Sequence, residues 1–106
     1  MWIAKPDPVV VGGEQAETRP VLVISVDSYN RSQARLVIVL PITTKDKEIP
    51  YHIPVGPREG GLREKSFIMC DQIKCISTRR LLDHWGSVNQ DTMTKVEDMV
   101  RILLGL

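Results

Sequence analysis

Seven polar side chains in this sequence are candidates for chemistry by type and placement: Glu14, Gln15, Arg19, Thr43, Asp71, Gln72 and Lys74. Arg19 stands directly before Pro20 and the apolar run of residues 21–24, which puts a guanidinium at the mouth of a strand. Its fixed fork of donors matches phosphate geometry. Thr43 ends the run of residues 35–42, so its hydroxyl sits at a strand end within reach of a phosphate oxygen or a ribose hydroxyl. Glu14 and Gln15 lie on a polar loop led by Gly12-Gly13, where the backbone turns in a way a Cβ would obstruct. Plainer roles exist for each. Arg19 can pair with Glu14 or Glu17 and merely shape the loop. Thr43 can be a β-branched strand terminator. Asp71-Gln72 is the one polar break in an apolar stretch and can be a hydrogen-bond anchor, because buried polar groups need partners.

The elements that must hold these groups follow from periodicity. Trp2-Ile3-Ala4 reads as a short first strand at a sheet edge, ended by Pro6 and Pro8. Pro20 suits the first position of a strand over residues 20–26, since it cannot donate to a ladder. Asp27 or Ser28 can cap a single helical turn. Residues 35–42 form the most continuous apolar run and read as a central strand buried on both faces. Residues 51–55 carry flanking prolines and suit an edge strand. Residues 56–65, GPREGGLREK, read as a mobile surface loop and a candidate gate over the substrate groove. Residues 66–69 and 71–76 form one long strand or two, and residues 84–88 a short one. From Asn89 the period changes: Met93, Val96, Val100 and Leu103 recur at helical spacing, widened by Met99. Asn89 is the expected N-cap, Glu97 and Arg101 an i,i+4 pair, and Gly105 the stop.

A chain of 106 residues suits one domain, residues 1–106. A composition 42% hydrophobic and 25% charged is ordinary for a globular protein. No apolar run approaches the roughly 20 residues that span a bilayer. The N-terminus lacks a signal-peptide pattern, which places the protein in the cytoplasm. A net charge of +1 argues against coating nucleic acid by bulk electrostatics. The stretch from Arg58 to Arg80 holds six basic and three acidic residues, so a local patch can still form there. Cys70 and Cys75 fit neither a redox nor a zinc pattern and are read as buried free thiols. His52 and His84 belong to no motif and are given packing or surface roles; two histidines do not complete a zinc site. Trp2 and Trp85 are read as core or dimer-interface aromatics.

Taken together, the motifs carry a resemblance. GxEQxxxRPVLV over residues 12–23, Tyr29-Asn30-Arg31-Ser32, Pro41-Ile42-Thr43-Thr44, Asp71-Gln72-Ile73-Lys74, Arg80-Leu81 and the ending Leu-Leu-Gly-Leu occur in the order seen in the MazF/PemK toxin endoribonucleases. The chain resembles that family over nearly its whole length. The resemblance implies a mainly β fold with α: a small SH3-like antiparallel β-barrel closed by a C-terminal helix, usually a homodimer. It implies metal-independent, sequence-specific cleavage of single-stranded RNA, no cofactor, and a small, partly disordered antitoxin that blocks the RNA groove. Arg19 and Thr43 take the catalytic positions; Glu14, Gln15, Asp71, Gln72 and Lys74 take substrate-facing ones. Family members commonly carry more residues before the first strand, so this chain is expected either to start late or to have a misassigned start codon.

Two departures matter. Met69 stands where some members carry an arginine acid, which disfavours an Asp/Arg mechanism and leaves Arg19 with Thr43. Gly13 replaces a Ser or His, removing a side-chain contact. Two other readings remain open. A related family uses the same barrel to poison DNA gyrase through a C-terminal tail with a late tryptophan, and this chain has none there. A degenerate member would bind RNA or antitoxin without cutting.

Overall fold

In the computed structural model, which describes residues 2–4 and 19–106, strand β3 (Leu36–Thr43) is the axis of the sheet. Its apolar run is continuous because both faces are buried. Val37 and Val39 join Val21 in one cluster, while Leu40 and Ile42 join Leu22, Ile53, Val55, Leu62, Ile68 and Val96 in the other. Strand β2 (Arg19–Val23) pairs with β3 through Val21↔Pro41 and Val23↔Val39. Strand β1 (Trp2–Ala4) pairs with β2 on one side and with β7 (Leu81–His84) on the other. That corrects the edge position expected for β1, and the last strand begins three residues before the expected start at His84.

The opposite edge of β3 is shared by β5 (Ser66–Met69) and β6 (Lys74–Ser77). Ile42 pairs with Ile68 and Val39 with Lys74, so three residues of β3 step are matched by six on the partner. The surplus is the turn at residues 70–73, which contains Asp71-Gln72; the two-strand reading is the correct one. Strand β4 (His52–Val55) pairs outside β5 and ends the sheet, as its prolines suggested. All pairings are antiparallel, giving the mainly β architecture expected.

The terminal helix lies over one face of this sheet. Asn89 caps it, its Oδ1 accepting from the Thr92 N–H at 2.9 Å, and Gly105 ends it at φ 70°. Val96 is fully buried, and Met93, Met99, Val100 and Leu103 pack around it, the expected stripe. We label this helix α2 (Gln90–Leu104); the single turn α1 (Asp27–Asn30) precedes β3. Arg101 meets Asp98 at 3.8 Å rather than Glu97, a solvent-exposed contact of little energetic weight. No side chain caps α1; Ser25 and Asn30 tie the turn together instead, Ser25 Oγ donating to Asn30 Oδ1 and Asn30 Nδ2 to the Ser25 carbonyl. Among the described residues, no helix is long and apolar enough to cross a membrane.

Residues 56–65 run mostly over the surface, as expected, but their middle is anchored to the body of the protein. Leu62 is 4% exposed within the main core cluster, and Glu59 Oε2 accepts from the Asn89 N–H at 3.1 Å. Gly61, at φ 85°, lies so close to Trp85 that a Cβ would meet its carbonyl oxygen at 2.5 Å. Gly61 serves close backbone approach, which in sequence looks the same as flexibility. Trp85 itself is 40% exposed, outside the core of this chain; the Trp2 side chain lies outside the described residues. Cys70 and Cys75 are both free, but only Cys70 is buried. Cys75 is on the outer surface of β6, 3.8 Å from the Tyr29 hydroxyl.

Candidate functional site

Arg19 opens β2 and Thr43 closes β3 because the two strands are antiparallel and start and stop together. Continuing their register two places past Val21↔Pro41 sets Arg19 opposite Thr43. Directly opposed residues share a sheet face. Both side chains line one cleft of about 280 Å³ with Pro20, Ile42, Thr44 and Lys45. Two cationic residues, two threonines and the apolar Pro20 and Ile42 therefore share one cleft, a composition suited to a phosphodiester.

Thr43 is oriented by its own backbone. Its Oγ1 accepts from the Lys45 N–H at 3.1 Å, the i→i+2 pattern common for threonine at turns. In this bond the hydroxyl acts only as acceptor, which leaves its proton available to donate. Lys45 is a cleft residue that the sequence reading missed; the Thr-Thr-Lys turn after a strand was the available signal.

Asp71, Gln72 and Lys74 do not enter that cleft. Asp71 and Gln72 sit on the exposed turn between β5 and β6. Lys74 pairs with Val39, four residues along β3 from Thr43 and on the same face. At about 3.3 Å per residue, that is roughly 13 Å from the hydroxyl, so Lys74 can meet a more distant phosphate of an extended ligand. Asp71 has a partner the sequence did not suggest: His52 Nε2 lies 3.2 Å from its Oδ1. The His52 side chain is 2% exposed and that of Asp71 32%. The approach lacks hydrogen-bond alignment, so neither ring nitrogen of His52 is hydrogen-bonded. His52 thus has the packing role expected, while braced against the turn carrying Asp71. His84 is exposed. Next to Asp71, burial first and the carboxylate second push the Cys70 thiol up to about 11. Glu14 and Gln15 lie outside the described residues.

The family model for the PemK-like, MazF-like toxin of type II toxin–antitoxin systems matches residues 1–104. Endoribonuclease EndoA of Bacillus subtilis (strain 168) is 34% identical over 98 residues, covering 92% of this chain and 84% of that protein. The MazE–MazF crystal structure (Form-II) from Deinococcus radiodurans superposes with a TM-score of 0.83 at 24% identity, over 99% of this chain and 91% of the other. An endoribonuclease in complex with its cognate antitoxin, from a mycobacterial species, gives a TM-score of 0.73 at 25% identity, over 99% and 90%.

Proposed function

The chain belongs to the PemK-like, MazF-like toxin family of type II toxin–antitoxin systems, and from that premise we propose that it is a metal-independent, sequence-specific endoribonuclease acting on single-stranded RNA. The observation that carries this reading is the meeting of Arg19 and Thr43 in one cleft. In the proposed step the 2′-hydroxyl gives its proton to solvent as its oxygen attacks the adjacent phosphorus, and the bond to the 5′-oxygen breaks as that oxygen takes a proton from solvent. A 2′,3′-cyclic phosphate and a 5′-hydroxyl result. Negative charge grows on the phosphorane oxygens, where the Arg19 fork and the Thr43 hydroxyl can donate to it. Lys45 adds a second positive charge at the same mouth. Asp71, Gln72 and Lys74 extend the RNA-contacting surface, with Glu14 and Gln15 on the loop before Arg19.

The whole chain, 1–106, acts as one toxin domain in this reading, as a homodimer in the cytoplasm. A small, partly disordered antitoxin covers its RNA groove. The mycobacterial endoribonuclease whose structure is solved in complex with its cognate antitoxin supports that pairing. The test is incubation of purified protein with long single-stranded RNA in EDTA. Discrete fragments ending in cyclic phosphate are expected; intact RNA, or fragments with 3′-hydroxyl ends, would refute the proposal. Arg19→Ala should lower kcat by roughly 10³ with its circular dichroism unchanged.

A further inference from the structure

Beside Thr43, on the side away from Arg19, the sheet presents its single phenylalanine. Thr43 pairs with Phe67 of β5, and Phe67 pairs in turn with Pro54 of β4. Opposed residues share a face, so Arg19, Thr43, Phe67 and Pro54 form one row across four strands. The neighbours of Phe67 in sequence, Ser66 and Ile68, point the other way and are fully buried. Phe67 is only half-buried, the one phenylalanine in the chain, and its face of the sheet stays open as far as exposed Pro54. The Lys65 Nζ stands 5.8 Å from the ring centroid.

Resting on the endoribonuclease reading above, we propose that Phe67 is a stacking platform for a nucleobase flanking the scissile phosphate, and so a specificity-determining residue of the site. Adjacent strands lie about 4.8 Å apart, which puts the ring one strand spacing from the Thr43 hydroxyl. A base whose ribose borders the phosphate in the Arg19–Thr43 cleft reaches across that distance. An aromatic face accepts any base, and stacking strength sets the preference. The Lys65 ammonium near the ring, a cation–π contact, shows that the ring is within reach of a partner from outside the core. Its long side chain can swing aside to a neighbouring phosphate when a base takes the ring.

The cut site is first mapped on long single-stranded RNA, and a short oligonucleotide is built around it. Cleavage is measured with the intact oligonucleotide and with versions abasic at either nucleotide flanking the cut. Wild-type protein should lose about tenfold in kcat/KM at one of the two abasic positions, the range expected for one base–aromatic stack. Phe67→Leu, which keeps apolar bulk but no π face, should show the same loss with the intact oligonucleotide and no further loss with the abasic one. Phe67→Trp should restore activity to within about threefold. Additive losses in the leucine variant, or abasic oligonucleotides cut as well as the intact one, would overturn the platform while leaving the nuclease assignment standing. The abasic arm needs no variant to fold. In parallel, binding of a mixed-sequence single-stranded 2′-deoxy oligonucleotide, which lacks the nucleophile and needs no mapped cut site, is compared between wild type and Phe67→Leu. Wild type that binds it about tenfold more tightly than the leucine variant, yet never cuts RNA, would keep the platform and refute the chemistry. Wild type that neither binds nor cuts would refute both.

Discussion

At the scale of single residues, the arrangement separates the work of Arg19 from that of Thr43. Thr43 receives the Lys45 N–H and so keeps its own proton available to donate. Thr43→Ser keeps that geometry and should retain most activity, whereas Thr43→Val removes the donor while filling the same volume. The expected loss for valine is roughly a hundredfold in kcat with KM little changed, read from initial rates. The two thiols should also behave differently. Exposed Cys75 should be alkylated by iodoacetamide at pH 8 in the native protein, and Cys70 only after unfolding, as peptide mass mapping would read. The Cys70 thiol is raised from 9.0 to about 11. A folded-state value above the unfolded one means that the stability tied to the neutral thiol is fully present below pH 9. It declines as pH rises through the folded value. Urea midpoints should therefore fall between pH 9 and 11, and Cys70→Ala should flatten that slope.

Among the elements, the segment at residues 56–65 holds the most unexpected structure. Leu62 reaches the main core while Gly61 fits under Trp85. Leu62→Ala should cost about 2–5 kcal/mol in chemical denaturation, a cost no mobile loop would show. The helix cap was visible in sequence and should behave ordinarily: Asn89→Ala should cost about 1 kcal/mol. The register of β2 on β3 has a functional consequence, since a one-residue slip would turn Arg19 and Thr43 to opposite faces. The alternating burial of Val21, Val37 and Val39 against Leu22, Leu40 and Ile42 holds that register.

For the molecule as a whole, a net charge of +1 leaves recognition to local cations. Arg19, Lys45 and Lys74 lie along one face of the β2–β3–β6 sheet or at the cleft on its end. Binding of a non-cleavable single-stranded oligonucleotide should weaken with salt at a log–log slope of roughly −2, about 0.7 per phosphate contact for three cations. A slope near zero would remove these residues from the interface. Much of this molecule could be read from its residues in order. The central strand, the capped helix, and the placing of an arginine where one strand opens and a threonine where another ends follow from local pattern, because periodicity and turn chemistry act over a few residues. What tertiary structure decided was adjacency between distant segments. It set β1 between β2 and β7, seated Leu62 in the core, brought His52 against Asp71 and laid Phe67 beside Thr43. Each depends on which strands become neighbours and in what register, a choice made by burying two faces of one sheet at once and carried by no local stretch of the chain.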